Sequence, residues 1–244
     1  MTTIEHKLQQ VRSRIVTACT ACGRPPESVR LLAVSKTFPA EALREAHAAG
    51  QTAFGENYVQ EGVAKIETLA DLRGALEWHC IGPLQSNKTR VVAEHFDWVH
   101  GIDRLKIAER LSQQRPAGLA PLQLCLQVNV DGGANKSGVA PADALALARQ
   151  VAQLPNVRLR GLMAIPEPAE GFEAQRALFE RAADLYRRLQ ADGLPLDTLS
   201  LGMSADLEAA VAAGSTLVRV GTAIFGGRAF ADRPSPEQAA GHAA

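Results

Sequence analysis

The 244-residue sequence has no apolar run near the roughly 20 residues that a membrane-spanning helix needs, and its start, MTTIEHKLQQVRSR, lacks the apolar core of a secretory signal. A cytoplasmic location is therefore expected. Neither sign of charge is in excess: 26 basic residues face 26 acidic ones with no Lys/Arg block, so neither a nucleic acid nor a membrane surface is expected as a partner. Cysteine is scarce. Of the four, Cys19 and Cys22 form a CxxC, but no second pair completes a zinc site, and both fall on one helical face with Ile4, Leu8, Val11 and Ile15, which makes them core residues. The six histidines are too scattered for a metal centre. No linker, internal repeat or low-complexity block interrupts the chain before its Ala- and Pro-rich end, residues 231–244, which is expected to be poorly ordered.

What is present is alternation. After an N-terminal helix ending near Gly23-Arg24-Pro25-Pro26, short apolar runs at 29–35, 52–55, 77–81, 98–101, 122–130, 158–165, 198–201 and 216–220 read as strands. Helical patterns fill the gaps at 40–49, 58–72, 88–95, 104–115, 142–154, 172–190 and 205–213. The strands are too apolar to alternate cleanly, which implies parallel strands covered by helices on the outside. Eight such units fit an α/β fold, a (β/α)8 TIM barrel of one domain over residues 1–230 with an extra N-terminal helix. A doubly wound open sheet is the competing architecture, but the first βα turn has no GxGxxG. Little chain follows the eighth strand, so a second folded domain is not expected there.

The stretch SLGMSADLEAAVAAGSTLVRVGTAIFGG (200–227) reads as strand, turn, helix and strand, with Leu207, Ala210, Val211 and Gly214 facing inward from the helix. Ser204 stands where a helix N-cap belongs. Gly202 and Gly221 end the two strands and, with Gly226 and Gly227, let backbone N–H groups converge on one anion, for which a phosphate is the natural guest. Asp206, in the first turn of the helix, suits its dipole but would repel a phosphate placed close to it. Arg219 lies between Val218 and Val220 in a strand that should be buried, where it needs an anion or a strong acceptor. The ordinary reading stays open: a cap, two turns, and an arginine paired with a carboxylate at the barrel mouth.

The first strand, RLLAVSK (30–36), ends in Lys36, on the same face as Leu32 and Val34 and so at the mouth of the barrel interior. Desolvation favours the neutral amine, whose lone pair imine formation with an aldehyde requires. Alone, such a lysine is as readily a solvated strand end. Together with the anion cup and Arg219 it describes a seat for pyridoxal 5′-phosphate. Asn57, after the second strand, is placed to hydrogen-bond the ring oxygen or the phosphate, and Asn129 adds a polar group on strand five. His79 reads equally as a satisfied interior histidine. The turn DGGANKSG (131–138) is not a Walker loop, because Asn135 stands where Gly must precede the lysine. Lys136 is either a secondary anion site or a solvated loop lysine.

AVSKTFP (33–39), FGENYVQE (54–61), WHCIGPLQSNKTR (78–90), KSG (136–138), GLMAIP (161–166) and LSLGMSADLEAAVAAGSTLVRVGTAIFGGR (199–228) resemble the YggS/PROSC-type pyridoxal phosphate homeostasis proteins. The resemblance runs from about Val29 to Arg228 and implies a barrel similar to the N-terminal domain of alanine racemase, with the cofactor held as a Schiff base on Lys36. It further implies phosphate contacts from Ser204, the Met203 backbone, Gly221 and Thr222, Asn57 near the ring, and Arg219 facing the pyridine nitrogen. The Gly-rich loop before Lys136 and a tail without a Tyr-Lys ending depart from relatives.

Two functions follow. The first is a non-enzymatic carrier for intracellular pyridoxal 5′-phosphate homeostasis, a monomer that supplies apo-enzymes through transient contact. The second is a small amino-acid racemase with Lys36 as its base. An arginine opposite the pyridine nitrogen disfavours ring protonation and weakens carbanion stabilisation. Racemisation also needs a second base, for which Tyr58, near the mouth, is a better candidate than Tyr186 on an outer helix.

Overall fold

Eight short strands pair in chain order, each parallel to the one before, and the eighth closes back onto the first with Leu32 beside Arg219. The computed structural model describes residues 3–132 and 137–227; the end at 231–244 and Lys136 lie outside the described residues. Helix α1 (Thr3–Ala21) precedes the barrel. The first half then runs β1 (Arg30–Val34), α2 (Ala40–Ala48), β2 (Ala53–Glu56), α3 (Val59–Thr68), β3 (Glu77–Cys80), α4 (Thr89–His95), β4 (Trp98–Ile102) and α5 (Leu105–Gln114). The second half runs β5 (Leu122–Gln127), α6 (Ala144–Ala152), β6 (Val157–Met163), α7 (Phe172–Ala191), β7 (Thr198–Ser200), α8 (Leu207–Ala212), β8 (Leu217–Val220) and the short α9 (Thr222–Phe225). All eight expected strands are present. Helix α9 was not anticipated, since four residues cannot display a helical period. Strand β5 stops at Gln127 because the backbone of Gln127 and Asn129 pairs with Val139 instead, which leaves Asn129 off the strand where it was expected.

Alternation along the strands sorts side chains into two environments. Residues such as Ala33, Phe54, Trp78, Val99, Leu124 and Val220 face outward into the continuous layer packed under the helices. Those facing inward form only small apolar groups, Leu32, Ala53 and Leu217 in one and Trp98, Cys125 and Met163 in another. Between them the interior is polar: His79, His100, Ser200 and Arg219 are all buried there. Barrels of this kind are usually filled by branched aliphatics.

Helix α1 buries Leu8, Val11, Ile15, Ala18 and Cys19. Cys22, expected beside them, is exposed just past the helix end, where the chain turns through Gly23. Among the described residues no helix is long and apolar enough to cross a membrane.

Strands β6 and β7 approach so closely at Gly161 that a Cβ there would lie 1.6 Å from the Thr198 carbonyl oxygen. Gly161→Ala must therefore push two strands of a closed barrel apart. We expect it to cost about 3 kcal/mol or more. The surface control Gly74→Ala, where the added methyl meets nothing within 4 Å, should be near neutral. Urea unfolding midpoints of the two variants check this.

Candidate functional site

The C-terminal ends of the strands open into a cavity of about 320 Å³. Lys36 and Asn57 reach its wall from the turns after β1 and β2. Met203 and Ser204 reach it from the turn after β7, and Arg219, Gly221 and Thr222 from the end of β8 and the start of α9. The structure thus brings all seven sequence-predicted residues to one cavity. Val34, Ile81 and Ile165 supply apolar wall, and Phe38 stands at the edge with its ring 5.1 Å from that of Phe225.

Lys36 sits two residues past the end of β1, half-buried, in a turn whose next residue, Thr37, has φ of 69°. A β-branched residue avoids that region unless its surroundings impose it. Here a buried ion network does so. Lys65, on α3, donates to the Ser35 carbonyl at 2.8 Å, to Glu56 at 2.8 Å and to Glu61 at 2.6 Å. The Ser35 hydroxyl donates to the same Glu56 oxygen at 2.6 Å, and the Thr37 N–H donates to Glu61 at 2.5 Å. The backbone on both sides of Lys36 is therefore tied to one ammonium and two carboxylates. Burial raises the Glu56 carboxyl above its ordinary range, against the pull of Lys65, and its second oxygen has no hydrogen-bond partner among the described residues.

Arg219 is met by neutral acceptors, not by the carboxylate that the ordinary reading offered. One terminal nitrogen donates to the Ser200 carbonyl and hydroxyl, each at 2.7 Å, and the other to the Ala164 carbonyl at 3.1 Å. Burial lowers its pKa to about 10, still far above neutrality, so the guanidinium stays charged at the cavity wall.

The anion cup differs from expectation in two details. Ser204 is not the helix cap: Asp206 holds that position, its carboxylate accepts the Met203 N–H at 2.6 Å, and α8 begins only at Leu207. The turn from Met203 to Asp206 closes on itself, so the Ser204 hydroxyl is left to face Thr222, whose hydroxyl donates to it at 3.1 Å. The two βα turns thus meet hydroxyl to hydroxyl. Helix α9 begins at Thr222, with Gly221 at its N-cap, on the same side of the cavity. Helix α1 braces this corner, for Arg14 donates to the Ser204 carbonyl at 3.0 Å and pairs with Glu208 at 2.7 Å.

Asn57 presents a buried side-chain oxygen that finds no hydrogen-bond partner among the described residues. His79 is a satisfied interior histidine, bonded to Glu77 and His100. Neither tyrosine lines the cavity: Tyr58 is more than half exposed beside α3, and Tyr186 is buried on α7, its phenol pushed up to about 12 by burial. Among the described residues no cluster of His, Cys, Asp and Glu could hold a metal ion.

Residues 6–229 match the family model of the alanine racemase N-terminal domain. A pyridoxal phosphate homeostasis protein of Pseudomonas aeruginosa is 61% identical over 230 residues, 94% of this chain and 98% of its own. Its counterpart in Escherichia coli is 56% identical over 234 residues, 96% of this chain and 100% of its own. The chain belongs to the pyridoxal phosphate homeostasis protein family. Among solved structures, PipY of Synechococcus elongatus with PLP bound is similar at a TM-score of 0.79 and 45% identity, over 91% of this chain and 100% of PipY.

Within this family member the residues that hold Lys36 in place were not read from the sequence. Glu61 and Lys65, four apart on a helix, look like an ordinary surface pair. Only the packing of α3 against Ser35 and Glu56 buries Lys65 and leaves Glu61 partly covered. Lys65→Ala leaves Glu56 buried without its cation, a loss of about 3–5 kcal/mol. Chemical denaturation should show it, with the double variant Lys65→Met with Glu56→Gln recovering part of the loss.

Proposed function

We propose that this chain binds pyridoxal 5′-phosphate reversibly at the described cavity, through a covalent link to Lys36, and passes it to apo-enzymes without turning over a substrate of its own. The observation that carries this reading is the meeting of an amine, an inward guanidinium and a two-turn hydroxyl pair on one small cavity. The fit is chemical: an unpartnered amide oxygen at Asn57, a cation at Arg219 and donors at Ser204 and Thr222 suit a polar aromatic ring carrying an anion. When bound, this cofactor supplies an aldehyde that condenses with a primary amine and releases one water.

The residues divide the work. Ser204 and Thr222 each need only rotate a hydroxyl to donate to an anion between their turns. The Met203 N–H joins them once Asp206 releases it. Asn57 turns its amide toward the ring. Arg219 donates at its guanidinium and has no lone pair to take a proton, so a ring nitrogen facing it stays unprotonated. A ring in that state withdraws electrons weakly, which favours holding over catalysis.

Racemase chemistry has less support. Among the described residues lining the cavity, Lys36 and Arg219 are the titratable ones, and neither tyrosine is positioned as a second base. We read the chain as a cytoplasmic monomer, in keeping with exposed large apolar residues that are few, such as Val16, Leu119 and Ile165.

Lys36→Ala should lose the absorbance band of the linked cofactor, while wild type should deliver its cofactor to an apo-enzyme even with a trap for free aldehyde present. Prolonged incubation of the loaded protein with individual L- and D-amino acids should yield neither racemised product nor keto acid. Turnover above the Lys36→Ala control would overturn the carrier reading.

A further inference from the structure

Arg219 is one end of a hydrogen-bonded chain that crosses the barrel interior. The Ser200 hydroxyl, which accepts from Arg219, lies 3.1 Å from Nδ1 of His100. Nε2 of His100 lies 2.9 Å from Nδ1 of His79, and Nε2 of His79 lies 2.7 Å from Glu77, where β3 begins at the far end of the barrel. His79, His100 and Ser200 are completely buried, and the His79 ring stacks on Trp98 at 5.2 Å and 11°. Trp98 in turn lies under the Arg160 guanidinium, 4.8 Å from the ring centroid.

The donors leave one consistent arrangement. The Glu77 carboxylate can only accept, so a neutral His79 keeps its proton on Nε2 and accepts at Nδ1, and a neutral His100 then leaves its own Nδ1 to take the Ser200 proton, while Ser200 accepts from Arg219. His100 is then protonated at Nε2 and donates to Nδ1 of His79, which is protonated at Nε2 and donates to the Glu77 carboxylate. Every polar atom of the two imidazoles is satisfied, with a cation at one end and an anion at the other. We propose that Glu77, His79, His100 and Ser200 form a relay of single polarity that positions Arg219, and through it the cofactor ring, from the opposite end of the barrel. This rests on reading Arg219 as the group that faces the ring.

The charges around the relay fit that polarity. Burial pushes both imidazoles below their ordinary range, His100 well below, with Arg219 on β8 and Arg30 on β1 adding to the effect at His100. At His79, Glu77 on the same strand and Asp97 before β4 pull the other way, and Arg30 opposes them. Burial alone would raise the Glu77 carboxyl, but the His79 hydrogen bond and the Arg30 guanidinium outweigh it and hold the carboxyl below its usual range. Both shifts favour a relay that is neutral in its middle and charged at its ends. A proton added at Nδ1 of His79 would leave its Nε2–H on Glu77 but move the His100 proton to Nδ1, so the Ser200 hydroxyl would accept from His100 and Arg219 alike and no longer be polarised towards Arg219 by donating away from it.

The test has two parts on the full-length chain. Imidazole 15N NMR of the cofactor-free protein should show His79 and His100 both neutral and protonated at Nε2 at pH 8 and at neutral pH. Glu77→Gln and Ser200→Ala should each weaken pyridoxal 5′-phosphate binding by roughly three- to thirtyfold and move the pH midpoint of the bound absorbance band. Arg30→Gln, which removes the Glu77 salt bridge but leaves the His79 bond, should change affinity by less than about twofold. Because Glu77 lies partly exposed at a strand start, its isosteric variant tests the relay even where Ser200→Ala fails to fold. An Nδ1–H tautomer at either histidine overturns the relay. So does unchanged affinity and pH midpoint in Glu77→Gln while wild type loads normally and Lys36→Ala does not link. Failure of wild type to load at all would overturn the cofactor reading together with the relay.

Discussion

A guanidinium can be taken out of water only if its N–H groups find acceptors, and the interior of this barrel is arranged around that requirement on the inward side of Arg219. Two carbonyls and a hydroxyl, from the ends of β6 and β7, surround it. None is charged. A carboxylate in their place would have neutralised the arginine locally; neutral dipoles leave its field directed at the cavity. The polar column beneath it, Ser200, His100 and His79, replaces the aliphatic layers that usually fill such a barrel, and it follows from the same requirement, since Ser200 itself needs somewhere to send its proton.

A second buried cation, at the turn that carries Lys36, is handled in the opposite way. Lys65 is enclosed by two carboxylates, so its charge is cancelled where it stands and its effect is mechanical: it fixes Ser35 and Thr37, and hence the direction from which Lys36 leaves β1. One cation projects a field and the other fixes a backbone. Between them the cavity receives an amine of set direction and an arginine of set charge. The third component, the hydroxyl pair of Ser204 and Thr222, is brought together by barrel closure and held from outside by Arg14 of α1, which gives the extra helix a part in shaping the site.

Much of this was legible from residue patterns. The strands were readable because a parallel strand covered on both faces is short and apolar, and Lys36 and Arg219 stood out because each breaks such a run. Boundaries were less readable: β5 ends early at Gln127, where Val139 comes in to pair with the backbone of Gln127 and Asn129, a non-local contact that period and composition do not contain. The Met203 to Asp206 turn was misread for a related reason. Ser and Asp are both good caps, and which of them closes the turn depends on Thr222 standing across from Ser204. The relay was hidden more deeply still. His79, His100 and Ser200 lie on three strands, and only barrel closure places them in line.

The central claim is that one amine, held by a buried ion network, is the group that takes the cofactor. The most direct measurement is to equilibrate the protein with pyridoxal 5′-phosphate, reduce the linkage with borohydride, digest and locate the modification by mass spectrometry. The account predicts near-stoichiometric modification at Lys36. Modification spread over the chain's other lysines according to their exposure, with Lys36 unmodified, would contradict it.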